Sequence, residues 1–305
     1  MTLTELRYIV ALAREKHFGR AADKCAVSQP TLSLAVKKLE EELGVPLFER
    51  APNEVRVTEI GARVVAQAGI VLAEAARVGE LAAAGKDPLA GPLRLGCIYT
   101  IGPYLLPRLV PLLRERAPAM PLMIEENFTE RLLEKLKNSE LDVAVLALPV
   151  AEPGLVAQPV YDEQFRVLMP VGHAWSKQKS LAPDTLLEEQ LLMLGPGNCF
   201  RDQVLDLCTH ASKEAGTSPH ILEGSSLETI RLMVASGVGV TVMPASAVDG
   251  IAARDPLLRV RPFADPQPTR RVGLVWRASY PRFKAIDVLR RALLDCRPAG
   301  TKPAK

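Results

Sequence analysis

No CxxC pair occurs in this 305-residue chain, and none of its four histidines stands beside a cysteine at zinc-site spacing. The commonest dithiol and structural-zinc motifs are therefore excluded, and we expect no metal and no cofactor. No basic stretch leading into an apolar one opens the chain, and apolar runs such as Val238 to Met243 fall far short of a membrane span. The expectation is a cytoplasmic protein with no membrane partner. No internal repeat is found either.

What the chain does hold is an odd set of five cysteines, at positions 25, 97, 199, 208 and 296, in a sequence that is 48% hydrophobic and 24% charged. A reducing cytosol keeps such residues as thiols, so a disulfide would be transient and sensory. Two of them bound one segment, Cys199 to Cys208, in which Phe200, Val204 and Leu207 recur at helical spacing while Arg201, Asp202 and Asp206 fall off that stripe. As a helix, this segment would hold the two Cα atoms roughly 13–14 Å apart, whereas a disulfide needs them within about 7 Å. Joining the sulfurs therefore means melting the helix, which is the behaviour of a two-state element. On spacing alone two readings stand: a pair of small hydrophobes on one helix, or a thiol switch.

The first sixty residues read as a compact helical module. Leu3, Leu6, Val10 and Ala13 mark one face of a first helix, and Gly19-Arg20-Ala21-Ala22 a second, short one. Ser28 is placed as the N-cap of a third, with Pro30 in its first turn, a buried stripe of Leu32, Val36, Leu39 and Leu43, and a stop at Gly44 and Pro46. Its opposite face carries Gln29, Thr31, Ser33, Lys37 and Lys38, suited to base edges and phosphates. Glu54-Val55-Arg56-Val57-Thr58 is expected as one strand of a short hairpin that brings Arg50 or Arg56 beside a groove. This is the pattern of a winged helix-turn-helix, although residues 1–60 hold nine basic and nine acidic side chains. The signs are sorted: seven basic and three acidic residues precede Leu39, and Glu40, Glu41, Glu42 and Glu49 follow.

From Thr58 to Lys86 an alanine-rich stretch has the seam Val64, Ala68, Val71, Ala75, Val78 and Ala82, which we expect to pair with a second copy of the chain. Two prolines and a glycine between Lys86 and Pro92 set a domain boundary. Strands are expected at 93–98, 122–126, 143–148, 166–171, 238–243 and 272–276. Helices are expected at 105–116, 129–138, 199–214, 227–235 and 282–294. Such alternation predicts an α/β domain with parallel sheet, in two lobes with a cleft between them. The tail from Arg297 is expected to be disordered. The expected divisions are 1–58, 59–87 and 88–305, with one lobe of about 88–163 and 267–297 and the other of about 164–266.

The run Ala21-Ala22, Val27-Ser28-Gln29-Pro30-Thr31-Leu32-Ser33, Lys38-Leu39-Glu40, Leu43-Gly44, Leu47-Phe48-Glu49-Arg50 and Thr58-Glu59-Ile60-Gly61 resembles the LysR-type transcriptional regulators. The stretch from Gly197 to Cys208 resembles the peroxide-sensing members of that family. The resemblance implies an all-α winged helix-turn-helix domain, a long linker helix, and a two-lobed, periplasmic-binding-protein-like α/β regulatory domain. It implies a DNA-binding activator of oxidative-stress genes rather than an enzyme. Its partners would be double-stranded promoter DNA, hydrogen peroxide, RNA polymerase, a cellular thiol reductant and further copies of itself as a dimer of dimers. It also implies that Cys199 is the peroxidatic thiol and Cys208 the resolving one. Thr100, Thr129, Asn198 and Arg270 would form the peroxide pocket; Arg271 is the adjacent candidate, and by strand alternation only one of the two arginines can face inward. Phe200, Asp202, Val204 and Leu207 would belong to the helix that switches.

Peroxide is attacked by a thiolate, and Cys199 follows Gly195-Pro196-Gly197-Asn198, a turn that would place it in the first turn of a helix, where N–H groups stabilise an anion. Asn198 also reads as a simple N-cap, and Thr129 as another. Two departures from the family stand out: Asn198 where a histidine is frequent, and Leu34 where many relatives have arginine. His173, His210 and His220 read as loop or surface residues. The competing readings are a regulator responding to a small organic effector, a thiol peroxidase, and a solute-binding protein with a fused helical module.

Overall fold

The computed structural model describes residues 1–51, 54–84, 87–215, 220–250 and 255–304. Two compact units divide the chain, Met1–Lys86 and Asp87–Lys305.

In the first unit α1 (Leu3–Glu15) begins with a capping box in which Thr2 and Glu5 satisfy each other's backbone donors. Its fully buried stripe is Leu6, Ile9 and Leu12; of the expected residues Leu6 belongs to it, Val10 and Ala13 pack half-buried against the same core, and Leu3 does not. Leu3 sits in the opening turn and stays 41% exposed. His17 caps α2 (Phe18–Lys24) by accepting from the N–H groups of Gly19 and Arg20, and Ala21 and Ala22 are buried. Then α3 (Gln29–Leu43) starts at the Ser28 cap with Pro30 in its first turn and ends at Gly44, whose φ of +69° is the left-handed cap that glycine adopts freely. Leu32, Val36 and Leu39 are buried, but Leu43, expected with them, is exposed because the helix runs out at that turn. Strands β1 (Phe48–Ala51) and β2 (Glu54–Val57) form an antiparallel wing.

The long helix α4 (Glu59–Ala84) packs on α1, with Ala68 and Ala73 buried and Val64, Val65 and Leu72 against the same core. The expected seam thus divides: Val64 and Ala68 serve their own chain, which corrects the reading that the whole seam awaits a partner. Val71 and Val78 remain exposed.

In the second unit the elements run β3 (Leu93–Ile98), α5 (Gly102–Arg116), β4 (Leu122–Asn127), α6 (Thr129–Lys137), β5 (Val143–Leu148), β6 (Leu155–Pro170), β7 (Gln190–Leu194), α7 (Cys199–Ala215), β8 (His220–Gly224), α8 (Leu227–Ala235), β9 (Val240–Pro244), α9 (Ala245–Val248), β10 (Leu258–Pro262), β11 (Thr269–Arg277), α10 (Phe283–Cys296) and β12 (Thr301–Pro303). The sheet order is β4-β3-β5-β11-β6-β9-β7-β8, with β10 and β12 also on β6. Pairing is parallel for β3 with β4 and β5 and for β7 with β8 and β9. It is antiparallel wherever β6 or β11 takes part. The expected parallel sheet is therefore mixed, because two strands return through it. Likewise the tail is not disordered up to residue 304: β12 pairs with Tyr161, Asp162 and Glu163 of β6.

Two hydrophobic cores fill this unit. One gathers Leu93, Leu95, Val143, Val145, Leu274 and Leu289 among others, and the second Val167, Met169, Leu191, Phe200, Val204 and Ile230. The 16-residue β6 contributes to both. Arg282, 7% exposed, donates to the carbonyls of Pro88, Gly91 and Pro92 and so ties the entry of the unit to the start of α10. Arg282→Met leaves those acceptors unpaired and is expected to cost about 2–3 kcal/mol, seen as a lower denaturant midpoint for the second unit at unchanged slope.

Candidate functional site

Cys199 is the first residue of α7. The chain reaches it through Gly197, whose φ of +88° only glycine takes up without strain and which comes close to Phe128. Asn198 does not cap with its side chain. Its amide donates to the Gly195 carbonyl at 3.0 Å, while its own carbonyl receives Arg201 N–H. Arg201 pins this first turn to the sheet, donating to the Leu194 carbonyl and pairing with Glu223 at 2.7 Å. Cys199 therefore stands in the first turn of α7, at the positive end of the helix dipole.

Around it lies a small pocket lined by Ile98, Tyr99, Thr100, Asn127, Phe128, Thr129, Gly197, Asn198 and Cys199, with a cavity volume of about 10 Å³. Tyr99 and Phe128, in edge contact at 5.3 Å, stand exposed at this rim. Phe128, not Thr129, occupies the N-cap position of α6. The Thr129 hydroxyl is buried and makes no hydrogen bond among the described residues, so it is available to whatever enters. The sequence-predicted Thr100, Thr129, Asn198 and Cys199 are thus brought together from three separate elements.

Strand alternation settles the two arginines. Arg270 and Arg271 of β11 face Glu163 and Asp162 of β6 in register. Arg271 pairs with Asp162 at 2.7 Å on the open side. Arg270 points inward with its side chain fully buried, bonds Glu163 Oε2 through Nε and Nη2 at 2.8 Å, and gives Nη1 to Thr100 Oγ1 and Nη2 to the Thr100 carbonyl at 2.9 Å. Its guanidinium also lies 5.3 Å from the ring centre of Phe200. Glu163 and Arg201 were missed in the sequence. The signal existed, an Asp-Glu pair opposite an Arg-Arg pair, but only the full length of β6 places them face to face.

The second cysteine belongs elsewhere. Cys208 is buried in the second core with Phe200 and Val204, whereas Cys199 packs against the first. Leu207 is partly buried there and Asp202 is exposed. Burial pushes the Cys208 thiol up to about 11. Of the others, Cys97 and Cys296 are buried and Cys25 half-buried. His173 accepts from Trp175 N–H and meets Glu189 at 3.1 Å, and His220 is exposed at the start of β8. The side chain of His210 lies outside the described residues. Among those residues no cluster of potential metal ligands occurs.

In the first unit Gln29, Pro30, Thr31, Lys37 and Lys38 are exposed on α3, and Ser33 is half-buried. Ser28 and Thr31 share a hydroxyl bond at 2.8 Å, so part of their capacity is spent on the cap. Lys37 pairs loosely with Glu41 at 3.7 Å. Arg56 is exposed on β2. Arg50 is described in its backbone only, in β1 opposite Val55.

The raised Cys208 titration has a sign that can be checked. The folded state holds its proton where the unfolded thiol has begun to lose it, so this contribution to stability is complete below about pH 9 and lost as pH rises toward 11. Peptide-resolved alkylation of the reduced protein at pH 7 to 8 is expected to label Cys199 well before Cys208, with Cys208 labelling climbing toward pH 11.

Comparison with known proteins bears on both units. Residues 3–62 match the bacterial regulatory helix-turn-helix protein family, lysR type, and residues 86–296 the LysR substrate binding domain. The chain is 39% identical over 298 residues to the DNA-binding transcriptional dual regulator OxyR of Escherichia coli (strain K12), covering 97% of this chain and 96% of that one. To the hydrogen peroxide-inducible genes activator of Pectobacterium carotovorum subsp. carotovorum it is 40% identical over 281 residues, 92% of each. The structure of a full-length OxyR C199D protein from Pseudomonas aeruginosa superposes with a TM-score of 0.81 at 52% identity, covering 100% of this chain and 99% of that one. The chain belongs to the LysR family of transcriptional regulators.

Proposed function

We propose that this protein is a DNA-binding transcription activator that senses hydrogen peroxide through reversible oxidation of Cys199 and Cys208. One observation carries the reading: a cysteine at a helix N-terminus shares a pocket with two threonines, one of them bonded to a buried arginine, and a second cysteine stands nine residues along the same helix. Of the named relatives, one is a DNA-binding transcriptional dual regulator and another an activator of hydrogen peroxide-inducible genes. The cavity at Cys199 holds only about 10 Å³, against the roughly 300–1,000 Å³ typical of organic ligand sites. It suits a two-oxygen reactant better than an organic effector.

The Cys199 thiolate attacks one peroxide oxygen. An S–O bond forms as the O–O bond breaks, and the departing hydroxide takes up a solvent proton as water. The sulfenic acid then condenses with the Cys208 thiol, giving the disulfide and a second water. Because α7 holds the sulfurs apart and Cys208 deep in its core, condensation requires α7 to unwind and Phe200, Val204 and Leu207 to leave their packing. A cellular thiol reductant reverses the step with two electrons.

Residues 88–305 serve as a two-lobed sensing domain of periplasmic-binding-protein type, 59–87 as a linker helix for self-association, and 1–58 as the reading head. Exposed Val71 and Val78 on α4 fit pairing with a second copy, and a dimer of dimers suits promoter half-sites. Gln29, Thr31 and Ser33 face base edges, while Lys37, Lys38, Arg50 and Arg56 meet phosphates. RNA polymerase is the partner through which activation acts.

Brief treatment of the reduced protein with about one equivalent of hydrogen peroxide, thiol blocking and peptide mass mapping tests the reading. A Cys199–Cys208 bridge ahead of any other cysteine change is expected, and free thiols at both positions would sink it. Cys208→Ser is expected to stop at the sulfenic acid. On the DNA side, Lys37→Ala is expected to weaken binding evenly across sequences and lower the salt slope by about one.

A further inference from the structure

The geometry points to Glu163 as a positioning residue for the peroxide reaction. This inference rests on the peroxide-sensing reading above and adds to it a group that neither touches peroxide nor lies in the pocket lining.

Glu163 is 1% exposed, and both of its oxygens are occupied. Oε2 takes Nε and Nη2 of Arg270, each at 2.8 Å. Oε1 takes the backbone N–H of Ser246, in the first turn of α9, at 2.9 Å. With Nε and Nη2 committed on that edge, the guanidinium plane is fixed and its remaining edge is aimed at Thr100. A buried carboxylate with no such partner would be strongly unfavourable, so the pair is held as a unit.

The consequence lies at Thr100. A threonine hydroxyl has one proton to give and two lone pairs to offer. Here one lone pair is taken by Arg270 Nη1 at 2.9 Å. A hydroxyl that accepts from a cation turns its own proton away from it, and the cation strengthens that proton as a donor. Thr100 also lines the pocket beside Cys199, so the outward proton is available to the oxygen that leaves as the S–O bond forms. Glu163 therefore sets the direction of a hydrogen bond two residues removed from itself. The same guanidinium lies against Phe200, the neighbour of Cys199 in the chain, which fixes the ring at the start of α7.

The experiment uses full-length reduced protein with Glu163→Gln, Glu163→Asp and Thr100→Val, singly and with Glu163→Gln combined with Thr100→Val. Two rates at Cys199 are read: oxidation by hydrogen peroxide, and alkylation by iodoacetamide across pH. Alkylation needs the thiolate but no donor to a leaving hydroxide. Glu163→Gln is expected to slow oxidation on the order of tenfold or more while leaving the pH profile of alkylation in place. Thr100→Val should slow it comparably, and the double variant no further than Thr100→Val alone. Glu163→Asp, which keeps the charge, should recover part of the rate and serves if the glutamine variant does not fold. Equal slowing by Glu163→Gln with and without Thr100, a matching loss in alkylation, or no slowing at all overturns the inference. If the unmodified protein is not oxidised at Cys199, the peroxide reading itself fails instead.

Discussion

A helix cannot bring its first and tenth residues into covalent reach, and the rest of the sensing unit is arranged around that fact. While α7 is wound, Cys199 sits at its positive end against one core and Cys208 inside the other. The two thiols share an element but not an environment: one lines a small pocket together with Thr100 and Thr129, and the other is held protonated by burial. Reactivity toward a small oxidant and reluctance to form the bridge are thus properties of the same fold. Release of the second depends on loss of the packing of Phe200 and Val204.

The opposing force is electrostatic. Arg270 carries a cation into a fully buried position, which is tolerated because Glu163, both oxygens of which are engaged, meets it across neighbouring strands. The outer pair, Arg271 with Asp162, repeats the same charges one residue along and on the solvent side. Strand alternation alone turns one pair into structure at the site and the other into surface. Thr100, Phe200 and the first turn of α9 are all reached from the buried pair.

Much of this was legible in the residues, and the failures have physical causes. Short periodic helices such as α3 and α7, and capping signals such as Ser28, were read correctly because the chemistry is local. In α1 the periodicity finds Leu6, Val10 and Ala13 but puts Leu3 in place of Ile9 and Leu12, because both sets satisfy helical spacing and only the neighbouring helices choose. Alternating strands and helices predict a parallel sheet, because β6 and β11 carry no local mark of their direction. For the same reason the carboxylate partner of Arg270, more than a hundred residues away, stayed hidden. Thr100, Thr129 and Asn198 were placed through family resemblance, since nothing in their spacing says that they meet. The tail reads as disordered because its proline, glycine and lysine disfavour strands, yet β12 pairs with β6.

That same strand ties the fate of the two cores together. With 16 residues running through both, paired to β9 and β10 in one and to β11 and β12 along the other, β6 gives neither core a complete sheet of its own. The halves are joined less like beads on a string than like two sails on one mast. A genetic cut between them would sever the shared spar, so neither can be inherited, shuffled or lost without the other.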